Sequence, residues 1–465
     1  MRKNILKGLY NSSPESVKRV YAFIPYSYRM GRKYREMIKF LEKSQTFSKE
    51  ELDAYQLSKL KHLLCYAEKK VPYYKNLFKS VAFDPEKFSS FDRLAEVPLL
   101  SKKAVFDSYE QLKSTDYTFL NSYEGLTGGT TGQPLKLLLS VESHAYEEAF
   151  LHTIWKRVGY KPSLKRVSLM GAPFRESHNE KKIVKYDYFN NQLQLSPQDL
   201  DEHSVEEYIQ KLEAFKPQFF HGFASAITVL AKHLKDSGKT INGIKGTLCG
   251  SENIFPSQKV FLEDFFHAPL LAWYGQTEKV VMGGACEKTS EYHMFSEYGY
   301  LELVDENGNV INEPGKTGEI VGTGFINMAM PLIRYKTGDL GEYADGDCLC
   351  GRKYPRIRKI KGRRNQDFLI GNKNEQVPLT SLDMQGLSFE KVYQLQFEQK
   401  EAGKVDLNIV SDKSINDHDI KIIRDELESQ VGKRIKFSID VVAHLKKSET
   451  GKVRPCIQHL DGSPL

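Results

Sequence analysis

A run rich in glycine and threonine, residues 126–134, is the stretch of this chain best suited to chemistry. Residues 127–132 are three threonines and three glycines, which offer backbone amides and hydroxyls rather than apolar surface. Glycine lets the backbone approach a ligand closely, and successive N–H groups form a concave anion site to which threonine hydroxyls add donors. The run has neither the Walker nor the Rossmann spacing. It predicts a nucleotide-phosphate loop of a third kind, with a flexible turn as the alternative.

Five further motifs follow this loop along the chain. They are Gly250-Ser251-Glu252, Trp273-Tyr274-Gly275-Gln276-Thr277-Glu278, Tyr335 to Leu340, Ile360 to Asp367 and Lys447 to Val453. One such short motif would indicate little, because short patterns recur by chance. The whole series in this order, over plausible separations, makes a chance match improbable.

Together with the opening loop, this order resembles the adenylate-forming superfamily. Within it the likeness is to the phenylacetate–coenzyme A ligase-like branch, including members associated with capsular polysaccharide synthesis. The likeness extends to the N-terminal segment 60–74 and so covers most of the chain. It implies an enzyme in which a carboxylate attacks the α-phosphate of ATP, giving an acyl-adenylate and pyrophosphate. ATP and Mg²⁺ are the implied cofactors, with coenzyme A as one candidate acceptor.

The resemblance also implies roles for residues of the motifs. Thr277 would contact the α-phosphate, and Glu278 would hold Mg²⁺, which prefers carboxylate oxygen. Tyr274 would lie against the adenine, and Asp339 would accept hydrogen bonds from the ribose, with Arg363 nearby. The alternatives are a helix-capping or surface role for Glu278 and a turn-fixing role for Asp339. The expected ATP-binding residues are Thr127, Gly128, Gly129, Thr130, Thr131, Gly132, Gly250, Ser251, Glu252, Tyr274, Gly275, Gln276, Asp339 and Arg363.

Lys452 is the strongest single candidate for a catalytic residue, beside Thr277 and Glu278. It stands between Gly451 and Val453 near the C-terminus. A lysine on such a loop can reach into a cleft and neutralise charge in the adenylating state. The alternative is a solvated surface group, which is what a single lysine ordinarily is. The catalytic interpretation is favoured only because the other motifs occur in the same chain.

The acyl pocket is expected between the first loop and Glu278. Its candidate residues are His221, Gly222, Phe223, Ala224 and Trp273. Aromatic and small residues there permit an aryl or short acyl acid without choosing one. His221 is equally compatible with capping the end of a strand.

Two departures from the family pattern leave the acceptor open. Gln133 precedes Pro134 where the family usually carries a lysine, and Lys136 stands two residues beyond. Residues 371–378 replace the usual glycine-rich turn and glutamate that help to shape the coenzyme A tunnel. The alternatives are therefore a coenzyme A ligase and an amine-acceptor ligase of surface polysaccharide assembly. A non-catalytic scaffold is the third, and the presence of the candidate catalytic residues argues against it.

Four soft or borderline ligands predict a structural zinc site: Cys286, His293, Cys348 and Cys350. They form two pairs on either side of a stretch rich in hairpins, which allows tetrahedral closure with no open position. Similar Cys/His sets occur in some relatives of this branch. The alternative is that they are ordinary cysteines, as Cys65, Cys249 and Cys456 are expected to be.

The elements that must position these residues alternate between strands and helices. Strand-like runs near 135–139, 167–170 and 219–220 are separated by helical segments at 206–215 and 224–235, which predicts an α/β fold. The pattern of residues 1–120 predicts helices. A hairpin is expected at 301–311 around an Asp-Glu-Asn-Gly-Asn turn. We expect a large domain over 1–365, with a β-rich subdomain, and a small mobile α+β domain over 366–465, pivoting near Gln366 or Asp367.

Composition places the chain among soluble globular proteins. Apolar residues make up 40% and charged residues 27%, and no apolar run is long enough to cross a bilayer. The N-terminus lacks the pattern of a signal peptide, so a cytoplasmic location is expected, with small-molecule partners and no nucleic acid. A net charge of +7 fits a protein that handles anionic ligands.

A basic, aromatic segment near residues 21–43 has two interpretations. It could touch a membrane surface or nucleic acid, or it could be a solvated helix face, which is the more common case. The sequence does not show whether these helices pack on the body or recruit a partner.

Overall fold

The computed structural model describes residues 13–127, 134–171, 174–177, 180–201, 204–361, 368–379, 382, 384, 387–448 and 451–460. The chain divides into two compact units, which we describe separately. The first unit comprises residues 1–157 and 273–363, and the second comprises residues 158–272 and 364–465.

The N-terminal part of the first unit is helical, as predicted. Its helices are α1 (Glu15–Ala22), α2 (Tyr26–Arg29), α3 (Arg32–Ser44), α4 (Lys49–Lys70), α5 (Pro72–Ser80), α6 (Lys102–Asp107) and α7 (Val141–Trp155). A capping box starts α4, because Ser48 Oγ accepts from the backbone of Glu51 at 3.2 Å and Glu51 accepts from that of Ser48 at 2.8 Å. The helix ends at Lys70 because Pro72 disfavours helical geometry in the residue before it.

The strands of the first unit form one antiparallel sheet and one hairpin. They are β1 (Ser122–Leu126), β2 (Lys136–Ser140), β10 (Leu270–Gly275), β11 (Met282–Ala285), β12 (Tyr292–Met294), β13 (Gly299–Val304), β14 (Thr317–Gly324), β15 (Tyr335–Tyr343) and β16 (Arg356–Lys361). The order in the sheet is β13-β14-β15-β16-β12-β11-β10, while β1 and β2 pair only with each other. Helices and sheet share a core in which Leu60, Leu64 and Ala67 of α4 are fully buried.

The predicted hairpin at 301–311 forms. The N–H of Asp305 donates to the carbonyl of Asn309 at 2.9 Å, and the N–H of Ile311 donates to the carbonyl of Leu303 at 2.7 Å. Val310 and Val304 form an antiparallel bridge. The strand that pairs along the whole of β13 is β14, which is longer and more buried than residues 310–311.

The second unit contains a mainly parallel sheet flanked by helices. Its first elements are β3 (Arg166–Leu169), β4 (Phe174–Ser177), β5 (Glu180–Lys182), β6 (Val184–Asp187), β7 (Gln192–Leu195), α8 (Val205–Phe215), β8 (Phe219–Gly222), α9 (Ala224–Asp236), β9 (Gly246–Gly250) and α10 (Pro256–Phe266). Strands β9, β8, β3 and β7 run parallel in that order, and β6 is antiparallel to β7. All five residues of β9 are buried, as is usual for a parallel strand covered on both faces.

The C-terminal part of the second unit has a hydrophobic core of its own. Its elements are β17 (Phe368–Ile370), β18 (Gln376–Pro378), β19 (Val392–Glu401), β20 (Lys404–Ser411), α11 (Asp417–Val431), β21 (Lys436–Val441) and β22 (Cys456–Gln458). The sheet order is β21-β20-β19-β22, and Phe397, Leu407 and Ile423 are among its fully buried residues. The predicted α/β class is confirmed. Among the described residues, no helix is long and apolar enough to cross a membrane.

Candidate active site and metal centre

Two motifs of the first unit meet through a hydrogen bond. The hydroxyl of Tyr274, at the end of β10, donates to Oδ2 of Asp339 in β15 at 2.7 Å, although the residues are 65 positions apart. Burial, and then the carboxylate of Asp339, raise the pKa of Tyr274 well above its usual value. The phenol is therefore protonated at neutral pH and acts as the donor to the carboxylate.

A bulge in β15 directs Asp339. The register between β14 and β15 shifts between Glu319 and Val321, so that residues 337–339 lie opposite Ile320 alone. Gly338 adopts a φ of +79°, which glycine tolerates without the steric cost other residues bear. Thr337 Oγ1 accepts from the backbone of Asp339 at 3.1 Å and donates to the carbonyl of Ile320 at 2.8 Å. Bulges of this kind often re-aim a side chain next to a functional site.

The turn after β10 positions the two other predicted residues of this motif. Glu278 is buried, and its Oε1 accepts a 3.0 Å hydrogen bond from the hydroxyl of Tyr335. Thr277 precedes it in the turn, and the backbone N–H of Lys279 donates to the carbonyl of Gln276 at 3.1 Å. The Lys279 ammonium forms a buried ion pair with Glu147 of α7, which ties the turn to that helix.

Thr127 anchors one end of the predicted phosphate loop. Its backbone N–H donates to the carbonyl of Leu135 at 2.9 Å, and its Oγ1 accepts from the N–H of Leu135 at 2.9 Å. The pairing of β1 with β2 ends at Leu126 and Lys136. Residues Gly128 to Gly132, which complete the predicted cradle, and Arg363 lie outside the described residues.

In the second unit, Glu252 links the Gly250-Ser251-Glu252 motif to the loop that carries Lys452. Its carboxylate accepts from the N–H of Ser225 at 3.1 Å and from Ser225 Oγ at 3.0 Å. The backbone N–H of Val453 donates to its Oε1 at 3.3 Å. Burial raises the pKa of Glu252, while these donors and the Lys452 ammonium oppose the shift.

Lys452 follows a tight turn. The N–H of Gly451 donates to the carbonyl of Ser448 at 2.8 Å, and the N–H of Ser448 donates to the carbonyl of Lys452 at 2.8 Å. Gly451 has a φ of +80°, which favours glycine at this position. Gln396 holds the flanking segments, since its Nε2 donates to the carbonyls of Lys446 at 2.9 Å and Arg454 at 2.8 Å.

The predicted acyl-pocket residues lie in both units. His221 and Gly222 are the last residues of β8, and Phe223 is the buried N-cap of α9, so all three stand where a parallel strand ends. Ligands of α/β proteins commonly bind at such strand ends. Trp273 belongs to the first unit, where its ring packs edge-on against Trp155 at 5.7 Å.

The four predicted zinc ligands converge in the first unit. Cys286 follows β11, His293 lies in the neighbouring β12, and Cys348 and Cys350 occupy the turn before β16. Their ligand atoms all lie within 4.8 Å of one another. The Cys286 and Cys348 sulfurs are 3.6 Å apart, and the Cys350 sulfur is 3.3 Å from His293 Nε2. Tetrahedral Zn–S bonds of about 2.3 Å would place two sulfurs about 3.8 Å apart, so the donor set fits zinc.

Buried guanidinium groups accompany this cluster. Arg157 Nη1 donates to the carbonyls of Gly284 at 2.8 Å and Ala285 at 2.7 Å, immediately before Cys286. Arg352 pairs with Glu287 at 2.9 Å. Burial, followed by Arg157 and Arg352, lowers the pKa of His293 to about 3, so its imidazole is neutral, the form that binds metals.

Comparison with known proteins finds similar chains. Residues 369–459 match the family model described as the CapK C-terminal domain. Protein CapK of Staphylococcus aureus is 23% identical over 465 residues, covering 98% of this chain and 100% of that protein. The phenylacetate–coenzyme A ligase of Thermus thermophilus is 22% identical, covering 88% of this chain and 97% of that enzyme. Over most of its length the chain is thus similar to proteins of the adenylate-forming ligase superfamily.

A solved structure extends the comparison to this ligase's fold. The 2-hydroxyisobutyryl-CoA ligase in its postadenylation state, in complex with R3-HIB-AMP, superposes with a TM-score of 0.69 at 16% identity. The match covers 89% of this chain and 91% of that one. The recognition made from the motifs and the expectation of an AMP-forming enzyme are both confirmed.

Sequence reasoning missed several supporting residues of the ligase. Tyr335 was noted only as the start of a motif, yet it donates to Glu278. Glu147 and Arg157, which hold the Lys279 turn and the strand before Cys286, carried no motif at all. Their contacts join positions more than 100 residues apart, and no local pattern reports such pairs.

Proposed function

We propose that this chain is an ATP-dependent ligase that activates a carboxylic acid as its acyl-adenylate and passes the acyl group to an acceptor. The hydrogen bond between Tyr274 and Asp339 carries the proposal, because it joins the two motif residues expected at adenine and ribose. Glu278, expected at the metal, stands in the turn that follows Tyr274 and is itself held by Tyr335.

The reaction divides into two steps. A carboxylate oxygen of the acid attacks the α-phosphorus of ATP, the bond to the β-phosphate oxygen breaks, and pyrophosphate leaves. A nucleophilic acceptor then attacks the acyl carbon, releasing AMP. Charge develops on the phosphate oxygens in the first step, so fixed donors and cations there lower the barrier.

Several residues of the chain would bind the nucleotide and Mg²⁺ during the first step. Thr277 would donate to the α-phosphate, and the Thr127–Gly132 loop would receive the β and γ phosphates. Glu278 would hold Mg²⁺, which supplies charge neutralisation at the phosphates when bound. The buried carboxylate of Glu278, fixed by Tyr335, suits a hard cation. Arg363 would lie near the ribose, and Gln276 and Gly275 would line the nucleotide.

Lys452 would neutralise the developing charge during adenylation. The turn around Gly451 and the clamp by Gln396 hold its backbone, and Glu252 holds the next residue. Glu252 would thus act as a positioning residue. We further propose that residues 366–465 form a small mobile domain, which is supported by the hydrophobic core formed by residues 369–456. The expected pivot at Gln366 or Asp367 lies outside the described residues.

The acceptor is the open part of the proposal. Coenzyme A is favoured by the named relatives, and an amine, such as an amino sugar or amino acid in surface-polysaccharide assembly, is the alternative. The segment 371–378, which departs from the family pattern, comprises the turn after β17 and the short strand β18 that pairs with β17. His221, Gly222, Phe223 and Trp273 would contact an aryl or short acyl acid.

We also propose a structural zinc ion held by Cys286, His293, Cys348 and Cys350. Four protein ligands leave no open coordination position, so this metal would stabilise the fold rather than take part in the reaction. Arg157 and Arg352 would offset the negative charge of three thiolates around a divalent ion.

Product analysis tests the proposed reaction. The protein is incubated with ATP, Mg²⁺ and a panel of aryl and short acyl acids, with coenzyme A or amines added separately. AMP and pyrophosphate, with an acyl thioester or an amide detected by mass, are the expected products. Formation of ADP and phosphate instead would contradict the proposal.

A further inference from the structure

An exposed apolar cluster lies at the start of the described chain. No residue of the described helix α1 is buried, and Val17, Val20, Phe23 and Ile24 are all exposed. Phe23 is 87% exposed and Val20 69%. Val17 and Val20 are one turn apart in α1 and therefore share a face, and Phe23 and Ile24 follow directly after the end of the helix. Scattered exposed apolar residues need no explanation, but a contiguous group of this size marks an interaction surface.

The residues that follow this cluster are fixed firmly to the body of the first unit. The hydroxyl of Tyr26 donates to Oε2 of Glu148 at 3.0 Å. The hydroxyl of Tyr34 hydrogen-bonds to Nδ1 of His152 at 2.7 Å in a buried contact. Both partners lie on α7, and both tyrosines are buried. The apolar cluster is therefore followed directly by a segment that is fixed to α7.

Basic residues surround the cluster. Between residues 13 and 35 the chain carries six basic residues, Lys18, Arg19, Arg29, Arg32, Lys33 and Arg35, and a single acidic residue, Glu15. Arg19 pairs with Glu15 at 3.5 Å, Arg32 with Glu36, and Lys33 with Glu142 at 3.7 Å, so part of this charge is compensated. The segment therefore combines a short apolar stripe with a net positive charge. Aromatic side chains at the same place, Tyr21, Phe23 and Tyr28, are the type enriched at the membrane–water interface.

We propose that residues 13–35 dock the protein on the surface of an anionic lipid bilayer. The side chains of Val17, Val20, Phe23 and Ile24 would enter the headgroup region, and the basic residues would contact anionic headgroups. A short amphipathic helix with apolar and aromatic residues on one face and lysine or arginine beside them binds membranes in this way. Attraction to anionic lipid adds to the apolar contribution and is screened by salt. Binding would be peripheral and reversible.

Vesicle co-sedimentation of the full-length protein tests the proposal. Wild type should sediment with phosphatidylglycerol–phosphatidylcholine vesicles and not with pure phosphatidylcholine, and added salt should weaken the binding. The double variant Val20→Ser/Phe23→Ser should lose about tenfold or more of the vesicle affinity. A Lys18→Ala/Arg19→Ala variant should lose affinity for anionic vesicles while keeping its fold, checked by circular dichroism.

A matched control comes from equally exposed apolar residues elsewhere. Val260 is 57% and Phe119 70% exposed, so Val260→Ser/Phe119→Ser makes the same chemical change away from the cluster. This control should bind anionic vesicles like wild type. The Lys452→Ala variant should do so too, because docking does not depend on catalysis.

Three results would overturn the proposal. The first is wild type remaining in the supernatant with anionic vesicles, and the second is vesicle binding that Val20→Ser/Phe23→Ser leaves unchanged. The third is a wild-type dimer in lipid-free sedimentation velocity that this double variant converts to monomer, with no vesicle binding. That third result would assign the cluster to contact between copies of the chain.

Discussion

The hydroxyl of Tyr274 donates a 2.7 Å hydrogen bond to the carboxylate of Asp339, across two strands that are not neighbours in the sheet. Residues 337–339 reach this position through a bulge, and Tyr274 reaches it as the penultimate residue of β10. The bond fixes both side chains relative to each other. If the two residues bind nucleotide as proposed, less binding free energy is spent on ordering them.

Removing this hydrogen bond should weaken ATP binding. Tyr274→Phe keeps the aromatic ring but removes the hydroxyl that donates to Asp339, so the dissociation constant for ATP should rise about three- to tenfold. Asp339→Asn should raise it further, because the ribose loses a charged acceptor. Titration calorimetry measures both. Tyr73 is a half-buried tyrosine of α5, and Tyr73→Phe should leave the dissociation constant for ATP unchanged. If Tyr73→Phe weakened ATP binding as much as Tyr274→Phe, Tyr274 would have no specific role in ATP binding.

Glu252 should affect stability in a pH-dependent way. Burial raises its pKa in the folded state, so between its ordinary and raised values the folded protein holds a proton that the unfolded chain has released. The stability linked to this group is greatest below the ordinary pKa and declines as pH rises through the raised one. Glu252→Gln, which keeps an acceptor oxygen, should flatten this part of the profile of unfolding free energy against pH.

Glu252→Ala is the matching disruptive change. It leaves the donors of Ser225 and Val453 unpaired, which should cost about 1–3 kcal/mol in unfolding free energy. Urea denaturation measures the loss. Adenylation should also slow, because the segment after Lys452 loses its anchor. If the alanine variant were as stable as wild type, the carboxylate would not hold this loop.

Zinc should be present at about one ion per chain in protein purified without chelator. Cys348→Ser should lose the metal and lower the melting temperature, since it removes one of four ligands. Cys65→Ser changes a half-buried cysteine outside the cluster and should keep both the metal content and the melting temperature. Elemental analysis that finds no zinc in wild type would end the metal proposal.

Much of the fold followed from local patterns, because the helix and strand periodicities are local. The helical pattern predicted over residues 1–120 corresponds to α1 to α6 between residues 15 and 107. The hairpin at 301–311 also followed from a local pattern, and residues 310–311 pair with the end of β13. The additional pairing of β13 with β14 has no local signal, because it joins residues that are farther apart in the sequence.

The candidate site was predicted as a set of residues rather than as a geometry. The motifs named Tyr274 and Asp339, but only the bulge at Gly338 brings the carboxylate to the phenol. The four zinc ligands were named from their chemistry, and the pairing of β11 with β12 explains how two of them meet. Arg157 lies beside them, but no sequence pattern predicted it, because it donates to two backbone carbonyls that are far away in the sequence.

The most direct test of the ligase proposal is carboxylate-dependent exchange of labelled pyrophosphate into ATP. Exchange requires reversible formation of an acyl-adenylate and needs no knowledge of the acceptor. We predict exchange with at least one acid of an aryl and short acyl panel. Lys452→Ala should abolish it while ATP still binds, and Lys421→Ala, an exposed lysine of α11, should leave it unchanged. No exchange with any acid, together with a melting temperature that ATP does not shift, would contradict the proposal.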